Sequence, residues 1–318
     1  AYSVVTPSTL TPEVTALAGS ANRLTIANYN VENLDPSDGA AKFNTLAQQI
    51  VTNLKAPDIL ALQEVQDNNG ATNDSTISAS TTLQMLVDAI NAASGGTVQY
   101  AFQDNPFIGD DLNGGEPGGN IRVAFLYRVD RGVDLVDGSL RTIDANGAAT
   151  TTVGGNADAS HPFFISRPPL VADFTFNGET ITVVDNHFSS KTGSGALMGT
   201  QPPLNSAEPA RAAQAQAVNT YVDSLLAANP DARVVVSGDL NEFEFEEPMQ
   251  VLSGKATYLD GNDADTAPEY VEGGTEVLLS MSDTLPVNQR YDYVFDGSSQ
   301  SLDQMYVTNA ARADAQYD

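Results

Sequence analysis

With 318 residues and 41% hydrophobic content, the chain can bury a large core, either as two ordinary domains or as one large α/β domain. Its 41 acidic residues against 14 basic ones give a net charge of −27, which argues against tight sequence-independent nucleic-acid binding through Lys and Arg but leaves open a phosphate substrate bridged by divalent cations. The lack of cysteine excludes disulfides, thiolate zinc sites and cysteine nucleophiles, and no apolar run of about eighteen residues is present to span a membrane.

Residues 1–22 carry Thr, Ser, Pro and Ala without periodicity and read as an arm or linker. The first residues have neither a basic start nor an apolar block, so a mature or excised end is expected rather than an intact signal peptide. A surface this acidic stays soluble in salty, calcium-rich or magnesium-rich water, which points to a secreted enzyme, extracellular or periplasmic. Arg23 to Val31 alternates like a strand. Helical spacing through Phe43, Leu46, Ile50, Val51 and Leu54 predicts a helix between Asp38 and Lys55, with Pro57 beyond its end. Asp58 to Val65 is a short core strand whose last polar residue is Glu64. A polar loop follows at 67–74, then Leu83, Leu86, Val87 and Ile90 predict a helix over Thr82 to Ala93.

A Gly/Asp/Asn loop covers 104–120. Strands are expected at Ile121 to Tyr127, Leu170 to Phe176 and Thr180 to Asn186, and a helix over Glu208 to Ala228 with Ala212, Ala215, Val218, Val222 and Leu225 on one face. Val234, Val235 and Val236 read as a buried strand, because β-branched residues suit a doubly covered pleat. Gly238 then lets the backbone turn, and Asp239 and Asn241, two residues apart, can face the same side of an extended chain. An acidic loop at 260–276 and two apolar segments, Tyr291 to Phe295 and Leu302 to Val307, complete the chain. Strands and helices alternate without a solenoid repeat, and no Gly/Ser linker divides residues 23–318. One α/β sandwich with helix-covered mixed sheets is the expected architecture.

Polar residues recur at the ends of apolar strands: Asn30, Glu64, Arg167, Asn186 with His187, Asp239 with Asn241, and Asp303. Taken singly, each is more often a cap, a turn or a salt-bridge partner. Gathered on one edge of a sandwich, they form a phosphate-handling or metal-handling site.

The ordered set resembles the endonuclease/exonuclease/phosphatase superfamily, the deoxyribonuclease I-like proteins. The matching pieces are Asn28-Tyr-Asn-Val-Glu-Asn-Leu34, Ala61-Leu-Gln-Glu-Val65, Ser166-Arg-Pro-Pro-Leu170, Asp185-Asn-His-Phe188, Ser237-Gly-Asp-Leu-Asn-Glu242 and Ser301-Leu-Asp-Gln-Met305. They come in family order across residues 23–310, and the wording Tyr29-Asn-Val-Glu-Asn-Leu-Asp35, with Asp296-Gly-Ser-Ser-Gln-Ser-Leu-Asp303, is most similar to large secreted bacterial nucleases. The resemblance implies a four-layer αββα sandwich and a divalent-metal-dependent phosphoesterase. In it Glu64 would ligate the metal with Asn30 beside it, and Asp239 would orient or deprotonate the attacking water. Asn241 and His187 would hold phosphoryl oxygens. Arg167 would bind an anionic phosphate or support His187, and Asp303 would complete the acidic cluster. Carboxylate and amide oxygens suit Mg²⁺, with Mn²⁺ or Ca²⁺ as alternatives.

Several points stay open in the sequence. Asp292, before an apolar segment, competes with Asp303; Asp303 is preferred and Asp292 is assigned to a hairpin. Arg122 lies on a core strand near the expected site and reads best as an ion-pair partner, and His161 as a loop or buried structural residue. The family's closing Ser-Asp-His is not found before Asp318, which is read as truncation or cleavage of a last strand, with an altered site as the alternative. The loops Asp67 to Asp74 and Asp260 to Asp265 offer oxygens for Ca²⁺ but lack the twelve-residue calcium-loop pattern, so solvated turns are expected. The function read from all of this is an extracellular non-specific deoxyribonuclease, as a monomeric catalytic domain of a larger secreted protein. A secreted phosphatase or small-substrate phosphodiesterase and an inactive binding module are the alternatives.

Overall fold

The computed structural model of the protein describes residues 12–195, 199, 201, 204–259, 269–295, 298–313 and 315–318. Its apolar strands pair into two sheets. The first contains β1 (Ile26–Leu34), β2 (Ile59–Val65), β3 (Tyr100–Gln103) and β4 (Arg122–Arg128) in the order β1-β2-β4-β3. The second contains β5 (Asp134–Leu135), β6 (Leu170–Phe176), β7 (Glu179–His187), β8 (Val234–Asp239), β9 (Leu279–Ser280) and β10 (Asp303–Val307) in the order β9-β10-β8-β7-β6-β5. The main helices are α1 (Gly39–Gln48), α2 (Ser80–Ala93), α3 (Glu208–Ala228) and α4 (Glu247–Ser253).

Each sheet has one parallel pair, β1 with β2 and β7 with β8, and all its other pairings are antiparallel. A parallel pair needs a long crossover, and a helix supplies it both times: α1 between β1 and β2, α3 between β7 and β8. The two halves therefore repeat one strand-helix-strand-helix plan, and both parallel pairs end at the same edge of the sandwich.

Strand alternation sorts the core into layers. Leu60 and Leu62 of β2 face α1 and α2, where they pack with Leu46, Ile50, Leu83 and Leu86. Ile59 and Ala61, one residue out of phase, face the second sheet together with Phe125, and meet Ala172, Phe174 and Val183 there. Phe125 and Phe174 meet edge to face, 5.4 Å apart at 86°. Val184, Val234 and Val236 turn to the other side and pack under α3 and α4 through Val218, Val222 and Leu252. The layers run helix, sheet, sheet, helix, as the resemblance implied. Burying each such side chain contributes about 1.5–3 kcal/mol.

Some local expectations change. The segment expected to turn at Gly238 stays in β8; its φ of 147° and its close approach to Asn186 are what require glycine, because a Cβ would run into the Asn186 carbonyl. Tyr293–Phe295 joins neither sheet. It pairs with Ser298–Gln300 in a separate hairpin and leaves Tyr293 and Val294 exposed. The arm packs against the body: Thr15 N donates to Asn53 O at 3.0 Å and Thr15 Oγ1 to Asp318 at 2.8 Å. Residues 1–11 and residues 260–268 of the acidic loop lie outside the described residues, and Glu269–Glu272, expected in that loop, is a strand paired with Ala256–Leu259. Among the described residues, β1 is an outer strand of its sheet, and no helix is long and apolar enough to cross a membrane.

Candidate active site

The carboxyl ends of the two parallel pairs supply four side chains, and these meet. In open α/β sheets this is the end at which ligands collect. Asn30 comes from β1, Glu64 from β2, His187 from β7 and Asp239 from β8. The pairing register breaks between Leu62 and Val65, and Glu64 takes a left-handed φ of 62°, so its side chain leaves the pleat that would otherwise point it at the helices. A non-glycine residue held there is strained, which is common at functional sites.

Asn30 Nδ2 donates to Glu64 Oε1 at 3.0 Å and to Asp239 Oδ2 at 3.1 Å, tying the sheets together at this edge. His187 Nε2 lies 3.8 Å from the same two oxygens. The Asn33 backbone N–H donates to Glu64 Oε2 at 3.0 Å, and that of Asn241 to Asp239 Oδ1 at 3.0 Å. One ligand atom each from Glu64, His187 and Asp239 fall within 4.8 Å of one another.

The charge state follows from burial. Burial raises Asp239 to about 6; Glu64 adds to the rise, while hydrogen bonds from Asn241 and Asn30 and the charge of Arg167 oppose it. Burial, with Arg167 adding to it, pushes His187 well below its ordinary value, so the imidazole is neutral and able to ligate a cation. Burial lowers Arg167 to about 10, which leaves it charged at neutral pH. Two carboxylates and a neutral imidazole make a donor set that fits a divalent cation such as Mg²⁺ or Mn²⁺, while Asn30 turns its amide nitrogen to the carboxylates and its Oδ1 to the Glu32 backbone N–H at 2.8 Å.

Arg167 and Asn241 stand one step away and share a partner: Arg167 Nη2 and Asn241 Nδ2 both donate to Phe188 O, the latter at 3.2 Å. Arg167 Nε and His187 Nδ1 are buried with no hydrogen-bond partner among the described residues. Asn241 does not share a face with Asp239 by strand alternation. It sits past the strand end at φ 49°, where its own backbone caps the aspartate. Arg167 precedes β6 by three residues rather than opening it. Asp303 opens β10 directly opposite Asp239 in register, and burial raises it well above the usual carboxylate range.

Asp292 lies just before the separate hairpin; its Oδ1 accepts from Leu302 N at 3.2 Å. Arg122, in register with Val65 next to Glu64, pairs with Asp104 at 3.2 Å, and His161 Nδ1 accepts from Phe163 N at 3.1 Å in a buried loop. The loop at 67–74 is not simply a solvated turn. Asp67 is fully buried and accepts from Asn120 Nδ2 at 3.1 Å. Sequence reading missed Asn28, Gln63 and Asp185, which stand on the same strands two residues before Asn30 and His187 or next to Glu64, and face between the sheets.

A two-sheet α/β sandwich with a cation-competent carboxylate and imidazole cluster where its parallel pairs end defines a class of hydrolytic site. The family model described as Endonuclease/Exonuclease/phosphatase family matches residues 131–305, more than half of the chain. The protein belongs to the endonuclease/exonuclease/phosphatase family and is a phosphoester hydrolase. Solved structures similar to it include truncated Caenorhabditis elegans TDP2, at 16% identity over 90% of this chain and 83% of that one, with a TM-score of 0.49. Another is the mannosyl-6-phosphatase Bt3783 of Bacteroides thetaiotaomicron, at 15% identity over 91% and 86%, with a TM-score of 0.48. No curated protein matches the chain.

Proposed function

We propose that this protein is a secreted nuclease that cleaves phosphodiester bonds of DNA without sequence preference, using Mg²⁺ or Mn²⁺. The observation that carries this reading is a pair of opposed features at one edge. Glu64, Asp239 and neutral His187 converge, and among the described residues no Lys or Arg is salt-bridged to either carboxylate. Beside them lie Arg167 Nε and His187 Nδ1, buried and unpartnered. The first feature suits a metal and the second an anion. Glu64, His187 and Asp239 would hold the cation, with Asn30 alongside. A divalent ion bound there neutralises charge that builds on the phosphoryl group and acidifies bound water.

The protein's own groups do the rest. Asp239, fixed by the Asn241 backbone N–H and the Asn30 amide, orients or deprotonates the attacking water. Arg167 keeps its charge in a dry setting and attracts the scissile phosphate. Asn241, anchored on Phe188 O, offers an amide to a phosphoryl oxygen. Secretion is supported by the acidic composition, and the nuclease choice by motif wording similar to large secreted bacterial nucleases.

A second reading, a phosphatase or small-substrate phosphodiesterase, is favoured by the net charge of −27, which repels a polyanion. Incubation with plasmid DNA, p-nitrophenyl phosphate and bis-p-nitrophenyl phosphate, with Mg²⁺, Mn²⁺ and Ca²⁺ in turn, separates the two. Nicked plasmid and diester turnover are expected; monoester turnover alone would replace the nuclease reading with the phosphatase.

A further inference from the structure

A line of hydrogen bonds runs from the site into the space between the sheets. Asp303 Oδ1 accepts from Asn28 Nδ2 at 2.6 Å, Asn28 Oδ1 accepts from Gln63 Nε2 at 2.7 Å, and Gln63 Nε2 also donates to Asp185 Oδ1 at 2.6 Å. Asn28 and Gln63 belong to the first sheet, Asp185 and Asp303 to the second. Gln63 and Asp185 are fully buried, and Gln63 Oε1 and Asp185 Oδ2 have no partner there among the described residues. Apolar side chains in these places would avoid that cost.

The line has a direction. A carboxamide can be turned end for end with little steric change, so its orientation is set by what its partners can offer. A carboxyl Oδ1 accepts a hydrogen bond from an amide whether the group is charged or neutral. Asp185 Oδ1 therefore draws Gln63 Nε2 toward it. The second hydrogen on that nitrogen needs an acceptor, so Asn28 turns its Oδ1 to Gln63. Asn28 Nδ2 is then left to face Asp303. With the opposite orientation, an amide oxygen would face Asp303 and remove the one hydrogen bond from Asn28 that favours its charged form.

We propose that Asp185 and Gln63 are positioning residues that fix the Asn28 amide, so that its N–H holds the Asp303 carboxylate in place opposite Asp239. This rests on the phosphoesterase reading of the site. Gln63→Glu replaces the donor with an acceptor, so Asn28 turns over to supply the introduced carboxylate and presents its oxygen to Asp303. The expected result is a fall in kcat of about 10- to 100-fold, with KM changed by less than about threefold. Asp185→Asn keeps an acceptor oxygen toward Gln63 and should lower kcat by no more than about threefold.

The double variant Gln63→Glu/Asp185→Asn separates orientation from folding. The introduced amide on β7 donates to the introduced carboxylate on β2, so the interior is paired again and Tm returns toward that of wild type. Asn28 stays inverted, so kcat stays low. Recovery of kcat together with Tm would overturn the proposal, as would wild-type kcat in folded Gln63→Glu. If Gln63→Glu does not fold, the double variant alone decides by the same comparison. A crystal structure of the double variant gives a readout independent of activity: the Asn28 to Asp303 contact should open from 2.6 Å to beyond about 3.5 Å, past hydrogen-bonding distance. Retention of that contact overturns the proposal even if wild-type protein hydrolyses no phosphoester, an outcome that would separately defeat the functional reading.

Discussion

Asn30, on the first sheet, donates its side-chain amide to Asp239, on the second, at 3.1 Å. The same nitrogen reaches Glu64 Oε1 at 3.0 Å, so one amide holds two carboxylates that belong to different sheets. Asn30→Ala leaves both acids without that donor. The expected outcome is a loss of about 1–3 kcal/mol in stability and a fall in kcat of about 10- to 100-fold, read by thermal melting and steady-state kinetics. Unchanged kinetics would show that the bridge does not organise the site.

Asp239 makes metal-free stability depend on pH in a definite direction. Its folded value is raised from 3.8 to about 6, chiefly by burial. Between those values the native state holds the proton more tightly than the unfolded chain, so stability falls as pH rises through that window and levels off above it. The total is on the order of 3 kcal/mol. In EDTA, the stability difference between wild type and Asp239→Asn should therefore change in the variant's favour as pH rises from 4 to 7. Added Mg²⁺ or Mn²⁺ should stabilise wild type most at the upper end, where the carboxylate is charged. A difference that moves the other way would contradict the raised value.

The loop after β8 is anchored by a buried ion pair. Arg211 Nε donates to Glu242 Oε2 at 2.8 Å with both side chains fully buried, and Lys191 also pairs with Glu242. Glu242 follows Asn241 directly, so this pair anchors the turn that carries the Asn241 amide. Arg211→Met leaves a buried carboxylate short of a partner and should cost about 3–5 kcal/mol in urea unfolding. Arg211→Met/Glu242→Leu should recover much of that loss, because an apolar pair has no charge to desolvate. A single variant as stable as wild type would mean that Lys191 alone satisfies Glu242.

Much of the fold was legible because it is encoded locally. The helix read over Glu208 to Ala228 has those ends, and the strands read at 170–176 and 180–186 differ from β6 and β7 by at most one residue at either end. Asn30, Glu64, His187 and Asp239 stood out as polar residues closing apolar runs. What escaped was set by distant partners. Asn28 bonds Asp303 across 275 positions, and Gln63 bonds Asp185 across 122. Inside a strand such residues look like ordinary interruptions, although Asn28 and Asp185 keep the period of two with Asn30 and His187. The left-handed backbone at Glu64 has no side-chain signature of its own, whereas at Asn241 it is one that asparagine favours. Asp303 and Asp292 are not told apart by strand pairing: Asp303 opens the strand beside β8, whereas Asp292 lies outside both sheets, yet each is near enough to Asp239 to be raised by its charge.

The most direct test removes and restores the cation. Protein stripped with EDTA is assayed for hydrolysis of bis-p-nitrophenyl phosphate and for Mn²⁺ binding by titration calorimetry, as wild type, Glu64→Ala and Asp239→Ala. Wild type should be inactive when stripped, regain activity with Mg²⁺ or Mn²⁺, and bind Mn²⁺ at the site. Each variant should lose about a thousandfold or more in kcat together with the calorimetric signal. Activity that persists in EDTA, or that survives both substitutions, would contradict a cation-dependent site built on these residues.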